Sequence, residues 1–329
     1  MLPVRRDRTL SFPPLFLQGA SRVRCYRGAV ERLATGPAPD RSDARAPVEE
    51  SGAVAPSAPR SPLRVRWLGR VGYRDAWELQ HRLARARAAG LAPDQLILLE
   101  HDPVLTLGKH ADEAHVRASA KELRRRGIEL IRVERGGEVT YHGPGQLVAY
   151  PIVRLADRSL LLKPYVRALE EAMIRTCAVE GVGADRREGH PGCWCAVGTP
   201  APRKIGALGV RVERGVTYHG IALNVDTDLR DFELIDPCGM PGVVSTSIAE
   251  ELGRTAEPPT TAVVGRAAAW FAGALADGLG AAIEGALPPS ADPEAERSAL
   301  EAELAIAEAE LALAEAERAL AAHPVGARA

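Results

Sequence analysis

The chain has 329 residues, of which 46% are hydrophobic and 26% are charged, and its formal net charge is −1. This length and composition indicate a globular protein with a sizeable core, built as one large domain with extensions or as two small domains. The near-neutral balance argues against a general attraction to nucleic acid or to an anionic membrane. Because no apolar run reaches the roughly 18 residues that a spanning helix needs, we expect no membrane span.

Residues 1–63 predict a disordered N-terminal extension, because they are rich in Pro, Ala, Ser and Arg and show no lasting periodicity. The basic start is not followed by a sustained apolar stretch and a small-residue cleavage site, so we expect no secretory signal. Its Arg and Ser content resembles a mitochondrial transit peptide, but acidic residues and prolines argue against one. We therefore expect a bacterial cytoplasmic protein.

Residues 64–287 predict one domain of the α/β class with a mixed α+β sheet, because strands and helices alternate without a regular βαβ rhythm. The predicted strands are LRVRWLG, DQLILLEH, the segment after Gly127, QLVAYPIVRL, CWCAVG, IGALGVRVE, VTYHGIALNV and DFELI. The predicted helices are residues 75–89, KELRRRG with its stop at Gly127, KPYVRALEEAMIRTCAVEG and TTAVVGRAAAWFAGALADGLGAAI.

Residues 288–329 predict a separate helical tail. Residues 301–321 repeat every seven positions as EAELAIA, EAELALA and EAERALA, which keeps Leu304 and Leu311 on one stripe, as in a coiled coil. Ala, Glu and Leu also favour helix intrinsically. We expect a solvated helix that packs loosely or self-associates and carries no chemistry.

The chain has five cysteines, at Cys25, Cys177, Cys193, Cys195 and Cys238. Their odd number and wide spacing argue against a secreted disulfide framework. Cys177 falls in the apolar stripe of a predicted helix, and this position indicates a thiol in the core. Cys193 and Cys195 could form a zinc site with His190, but no second ligand pair follows, so two buried thiols are the favoured interpretation.

The sequence Val-Thr-Tyr-His-Gly occurs twice, each time after an Arg-Gly pair. Alternate strand residues face the same way, so Thr140 should project with His142, and Thr217 with His219. The glycine after each histidine allows a backbone or a ligand to come close. Two glycine-rich hairpins with locally bonded histidines are one interpretation; the repetition and the Gly-Pro-Gly turn favour a binding groove. A phosphate cradle is weaker, because both standard glycine-loop patterns are missing.

Cys238 lies between a proline and a glycine on a predicted turn, which is an unusual place for a core thiol. A glycine there lets a substrate carbonyl approach, and nearby backbone N–H groups could stabilise an oxyanion. A nucleophilic thiol needs a cationic or basic neighbour. Lys204, in a glycine-rich strand, is the strongest candidate base, with His142 and His219 as rivals. Spacing alone supports a catalytic and a non-catalytic Cys238 about equally.

Four segments carry a family resemblance: EHDPVLTLGKHAD (100–112), RGGEVTYHGPGQLVAYPI (135–152), KIGALGVRVERGVTYHGIALNVDTDL (204–229) and IDPCGMPG (235–242). Together they resemble the octanoyl-[acyl-carrier-protein]:protein N-octanoyltransferases, the lipoyl (octanoyl) transferases of lipoate biosynthesis. The resemblance covers roughly residues 64–285 and reaches neither the N-terminal extension nor the heptad tail.

The resemblance implies the α/β fold that lipoate and biotin protein ligases share, with no cofactor and no metal. It also implies that Cys238 carries the octanoyl group as a thioester and that Lys204 activates this cysteine. His219 would lie close to the reacting centre. The substrate-contacting residues that the resemblance implies are Arg135, Gly136, Gly137, Glu138, Val139, Thr140, Tyr141, His142, Ala207, Leu208, Gly209, His219, Gly220, Ile221 and Ala222.

The resulting hypothesis is a two-step exchange with octanoyl-acyl carrier protein as the donor. The implied acceptors are lysine ε-amines of the lipoyl domains of 2-oxoacid dehydrogenases and of the glycine cleavage H protein. An ATP-dependent lipoate or biotin ligase, a non-catalytic lipoyl-carrier binding protein and a thioesterase remain alternatives.

Overall fold

The computed structural model describes residues 62–254 and 260–322. The predicted N-terminal extension thus lies outside the described residues, except for its last two positions. The strands are β1 (Pro62–Val71), β2 (Gln95–His101), β3 (Val104–Leu107), β4 (Glu129–Arg132), β5 (Val139–His142), β6 (Gln146–Ile152), β7 (Ala184–Arg187), β8 (His190–Cys195), β9 (Arg203–Glu213), β10 (Val216–Asn224), β11 (Val244–Ser245) and β12 (Ala282–Glu284). The helices are α1 (Tyr73–Ala88), α2 (Ala120–Arg126), α3 (Leu162–Val179), α4 (Ile248–Glu251), α5 (Thr261–Gly278) and α6 (Pro293–Ala322).

The main sheet has nine strands in the order β12-β1-β2-β6-β10-β9-β8-β7, with β11 paired to β9. The pairs β1–β12, β1–β2 and β9–β11 are parallel and the others are antiparallel. A smaller sheet has the order β4-β3-β5 and also mixes both pairings. The predicted mixed α/β class is therefore confirmed.

Helices cover both faces of the main sheet, which explains why its central strands β2, β6 and β10 are buried at every position. On β2, Leu96 and Leu98 face a cluster formed with α3 and α5, whereas Ile97 and Leu99 face a cluster formed with α1 and α6. A strand that is buried on both faces has no polar side, so DQLILLEH is read correctly as a buried strand.

Local signals fix helix α2 at both ends. The Ser119 side chain accepts a hydrogen bond from the backbone N–H of Glu122 at the start of the helix. Gly127 ends it in the left-handed conformation, with φ 67°, as the sequence predicts. The chain then enters β4 of the smaller sheet.

The prediction of a strand at DFELI is wrong, because residues Leu229–Leu234 form a 3₁₀ helix. Asp228 precedes it, and its carboxylate accepts a hydrogen bond from the backbone N–H of Arg230 at 3.1 Å. Such a local bond offers the backbone an alternative to a sheet ladder. The apolar side chains of Leu234 and Ile235 are therefore buried while the preceding backbone forms a helical turn.

The heptad segment is helical, as predicted, but its first half is not a solvated appendage. Leu300, Leu304 and Ala307 are buried with α1 and the main sheet. Charges border this contact. Arg66 of β1 binds Glu296 and Glu303 at 2.9 and 2.6 Å, and Arg82 of α1 binds Glu301 and Glu308 at 2.8 and 2.7 Å.

Candidate functional site

A cavity of about 380 Å³ lies between the main sheet and the segment that leads into β5. Strands β9 and β10 form one wall, residues 135–142 form the opposite wall, and the turn that carries Cys238 borders it. The volume falls within the usual range for small-ligand sites. The cavity brings together Lys204, Cys238 and all of the substrate-contacting residues implied by the sequence except Tyr141.

Lys204 and Cys238 are in direct contact. The Lys204 Nζ donates a hydrogen bond to the Cys238 Sγ at 3.0 Å, across 34 residues of sequence. The lysine is 7% exposed, whereas Cys238 is partly open to solvent. Of the three candidate bases, Lys204 is therefore the one that touches the thiol. No hydrogen bond joins His142 or His219 to Cys238 within the described ranges.

The backbone at Cys238 is in the left-handed region, with φ 60° and ψ 26°, inside the 3₁₀ turn Pro237–Gly239. A residue with a Cβ atom adopts this conformation at an energetic cost, and such strain often accompanies functional sites. Gly239 follows with φ 65°. Two successive left-handed residues make a sharp turn, which presents the sulfur to the cavity.

Three groups hold the Lys204 amine in place. Besides the bond to Cys238, Nζ donates to the Pro191 carbonyl oxygen at 3.1 Å and lies 5.0 Å from the centroid of the Trp194 ring. The lysine comes from β9 and the other two residues from β8, which is its antiparallel neighbour. The Lys204 amine is thus held largely by the sheet itself.

Arg135 provides a buried positive charge in the cavity wall. Its Nη2 donates to the Thr106 carbonyl and hydroxyl oxygens, both at 2.8 Å, and its Nη1 donates to the Gly136 carbonyl at 3.1 Å. Burial lowers the pKa of Arg135, and charge interactions with groups that include Cys238 oppose this shift. Arginine stays charged in proteins, so this wall of the cavity carries a fixed positive charge.

His142 is a neutral imidazole with a defined tautomer. Burial lowers the pKa of His142 well below its usual range, and the nearby His101 and Arg135 lower it further. Its Nδ1 donates to the Gln146 Oε1 at 2.7 Å, which leaves Nε2 as an acceptor facing the Thr106 hydroxyl at 3.4 Å. His142 therefore forms part of a buried network in the cavity wall.

His219 enters the cavity because the sheet is interrupted beside it. The regular pairing of β6 with β10 ends at Ala149–Ile221 and is not continued at Pro151, which has no N–H to donate. His219 takes φ 55°, and its backbone N–H donates to the Gln80 Oε1 of α1 at 2.7 Å. Burial lowers the pKa of His219, and the Glu134 carboxylate, 3.4 Å from Nε2, opposes that shift.

The expectation that Thr217 and His219 project together is wrong. The rings of Tyr218 and His219 stack on each other instead, with centroids 5.1 Å apart, because the left-handed residue breaks the alternation. The Thr217 hydroxyl donates to the Pro151 carbonyl at 2.7 Å and so lies against β6. In β5 the alternation holds, and both Thr140 and His142 line the cavity.

Tyr141 is the implied contact residue that the cavity does not include. Its ring packs edge-on against Phe232, with centroids 5.4 Å apart, in the core beside the smaller sheet. An added Cβ at Gly143 would lie 2.1 Å from the Tyr141 hydroxyl, so this glycine is needed for close packing. The glycine after the second histidine has the same role: a Cβ at Gly220 would lie 2.0 Å from the Ala149 carbonyl oxygen.

Several cavity residues are not predicted from the sequence. They are Tyr73, Tyr150, Gly189, His190, Pro191, Val210 and Met240. Tyr73 begins α1, outside the four family segments. Tyr150 lies in β6 and inside the segment 135–152, but the resemblance does not single it out as a contact residue. The His190-Pro191 pair precedes the Cys-Trp-Cys segment, where its proximity to Lys204 depends on the pairing of β8 with β9.

The remaining described cysteines lie in the core. Cys177, Cys193 and Cys195 share the cluster between the main sheet and α3, as the buried-thiol interpretation predicts. Burial raises the pKa of Cys195 to about 12. Within residues 62–254 and 260–322, no group of three or more His, Cys, Asp or Glu side chains is arranged to hold a metal ion.

No helix in the described part of the chain is long and apolar enough to cross a membrane. A solved structure with a similar fold is a putative lipoate protein ligase from T. acidophilum with bound lipoic acid. The TM-score is 0.51 at 18% sequence identity, and the alignment covers 72% of this chain and 92% of the ligase chain. At this identity the likeness shows the fold alone, and it confirms the predicted ligase-like fold.

Sequence relatives give the family. An octanoyltransferase from Chloroflexus aggregans is 48% identical over 205 residues, which cover 62% of this chain and 90% of the relative. An octanoyltransferase from Mycobacterium sp. (strain KMS) is 45% identical over 229 residues, which cover 69% of this chain and 92% of the relative. The family described as lipoyl protein ligase A/B catalytic domain matches residues 72–271. The chain therefore belongs to this family, among its octanoyltransferases, and is an acyltransferase.

Proposed function

We propose that the chain transfers an octanoyl group from octanoyl-acyl carrier protein to the lysine ε-amine of lipoyl domains, through a thioester on Cys238, in lipoate biosynthesis. The observation that carries this proposal is the 3.0 Å contact between Lys204 Nζ and Cys238 Sγ at the border of a largely apolar cavity. A thiol paired with an amine is a recognised arrangement for covalent acyl transfer.

In the first step, Lys204 takes the Cys238 proton and the thiolate attacks the donor carbonyl carbon. A new carbon–sulfur bond forms, the bond to the carrier sulfur breaks, and the carrier leaves as a thiol with the proton from Lys204. The buried Arg135 charge favours the thiolate before the attack. Exchange of one thioester for another is nearly neutral in free energy, so this step needs no nucleotide.

In the second step, the acceptor amine attacks the acyl-enzyme. Lys204 takes a proton from the attacking nitrogen, an amide bond forms, and Cys238 departs as a thiolate that is then reprotonated. Conversion of a thioester to an amide is downhill. The two steps share one base and one sulfur, so the kinetics should be ping-pong.

Backbone groups of β9 are candidates for holding the oxyanion. Pairing of β8 with β9 reaches Gly206 but does not extend to Ala207, Leu208 or Gly209, and this edge of β9 borders the cavity. An N–H group aimed at the tetrahedral oxygen stabilises the charge that develops there.

The apolar wall suits a medium-length acyl chain. From the Ala207–Ala222 pair to the Val210–His219 pair, the wall runs three residues along the strands, which is about 10 Å. Each methylene buried there is worth about 0.8 kcal/mol, so acyl chains that differ by one methylene should differ about fourfold in affinity. Length selectivity should therefore be graded.

The test is mass spectrometry of the full-length protein after exposure to octanoyl carrier alone, followed by addition of a lipoyl domain. We expect an octanoyl adduct on Cys238 that disappears as the domain gains one octanoyl amide, without ATP. Cys238→Ala should form no adduct, while Cys195→Ala, a matched change at a core thiol, should retain it. An adduct on another residue, or full transfer by Cys238→Ala, would overturn the mechanism. A requirement for ATP would indicate a ligase, and free octanoate as the main product a thioesterase.

A further inference from the structure

Trp194 lies directly beside the proposed base. It pairs with Lys204 across the antiparallel strands β8 and β9, so the two side chains share one side of the sheet. The indole is fully buried, and the Lys204 Nζ lies 5.0 Å from the ring centroid. Cys193 and Cys195, its neighbours on β8, face the opposite core.

The indole is held by contacts of its own. Its Nε1 donates to the His190 carbonyl at 3.0 Å, and the Arg187 guanidinium lies 4.9 Å from the ring centroid. The ring is thus fixed by its own strand and by β7, independently of Lys204. A fixed ring can favour one protonation state of a neighbouring amine, because it need not reorganise when the charge appears.

We propose that Trp194 is a positioning residue that acts through Lys204, its ring stabilising the ammonium that forms when Cys238 gives up its proton. The role in transfer rests on the proposed function. The negative face of an indole attracts a cation within about 6 Å, and more strongly when both are shielded from water. The neutral amine gains no such attraction, so the ring favours the thiolate–ammonium form of the pair.

Other ionisable groups also surround the pair, and a test must leave them unchanged. They are Arg135, Glu138, Glu170, His115, Asp236, His190 and Arg187, which lies against the same indole ring. Glu170 of α3 accepts a hydrogen bond from the backbone N–H of Gly192, which lies next to Lys204. Glu138 and His115 pack against Gly239, the residue after Cys238. Substitutions at Trp194 alone keep all seven, and Trp194→Phe also keeps an aromatic ring beside Arg187, so a graded difference between the variants reports on the ring.

The chain has only four lysines, which makes a direct titration practical: Lys109, Lys121, Lys163 and Lys204. Protein labelled with ¹³C at lysine Cε is titrated by NMR, and the Lys204 signal is assigned by its loss in Lys204→Arg. In Trp194→Leu the Lys204 titration midpoint should fall by about 0.4–1.5 pH units relative to wild type. In Trp194→Phe, which keeps a weaker aromatic face, the Lys204 titration midpoint should fall by less. The other three lysines serve as internal controls.

The same variants are then assayed for octanoyl transfer. Trp194→Leu should lower kcat several-fold with little change in KM, and Trp194→Phe should recover part of the loss. If Trp194→Leu does not fold, wild-type protein labelled with 5-fluorotryptophan, whose ring face is less negative, should still show a lowered midpoint. An unchanged Lys204 midpoint in the folded variants would overturn the inference even if transfer proceeds through Cys238. A shifted midpoint in a protein that forms no Cys238 adduct would instead leave the inference standing and overturn the proposed function.

Discussion

Helix α6 offers a sharp test of packing, because it presents leucines from two successive heptads to opposite environments. Leu304 is 2% exposed against α1 and the main sheet, whereas Leu313 is 62% exposed. Leu304→Ala removes buried carbon atoms and leaves a cavity in the contact that the ion pairs of Arg66 and Arg82 border. Buried Leu→Ala changes cost about 2–5 kcal/mol, and the border position of α6 places this one near 3 kcal/mol.

Leu313→Ala is the matched control, because the same side-chain atoms are removed from the same helix. Its expected effect is within about 0.5 kcal/mol. Urea unfolding of the two full-length variants, followed by circular dichroism, gives the difference directly. Leu304→Ala should also lower Tm by about 6–12 °C in a domain of this size. Equal effects of the two changes, or a Leu304→Ala cost below about 0.5 kcal/mol, would show that α6 does not pack as described.

Three further outcomes follow from single groups. Gly220→Ala should abolish transfer and destabilise the sheet, because its Cβ would lie 2.0 Å from the Ala149 carbonyl oxygen; activity at the wild-type level would contradict this packing. Burial lowers the pKa of His101 to about 4, so between about pH 6.5 and 4 the unfolded chain binds more protons than the folded chain. Stability should therefore fall as pH falls through that window, with a smaller slope in His101→Gln, and equal slopes in urea titrations would contradict it. In native protein treated with iodoacetamide, peptide mapping should find Cys238 alkylated and Cys195 intact, since burial raises the pKa of Cys195 to about 12; the reverse order would contradict the burial.

Elements whose signals are local could be predicted from the sequence. The buried run of β2 and the glycine that ends α2 depend on a few adjacent residues, and the structure has both. The DFELI segment was missed because its apolar content resembles a strand, while the decisive feature is the side chain of Asp228 just before it. The docking of α6 was missed because its partners, Arg66 and Arg82, lie more than 200 residues away.

The candidate site divides in the same way. The sequence singles out Lys204 and Cys238, and the structure places them in contact. Tyr150 lies in the family segment 135–152 and Trp194 between two core cysteines, but neither is singled out as a site residue, since its proximity to the site depends on which strands become neighbours. The His219 conformation was mispredicted because its cause, Pro151, lies on another strand.

Pro151 has a wider consequence for how this architecture forms the cavity that receives a reactant. A continuous antiparallel ladder would hydrogen-bond the His219 backbone to β6 and leave only side-chain size to define the chamber. Pro151 interrupts the ladder, and the Gln80 side chain of α1 accepts the hydrogen bond that the His219 backbone N–H would otherwise give to β6. Enlarging or moving the chamber in a redesigned enzyme should therefore start with the position of this ladder defect, before any wall residue is changed.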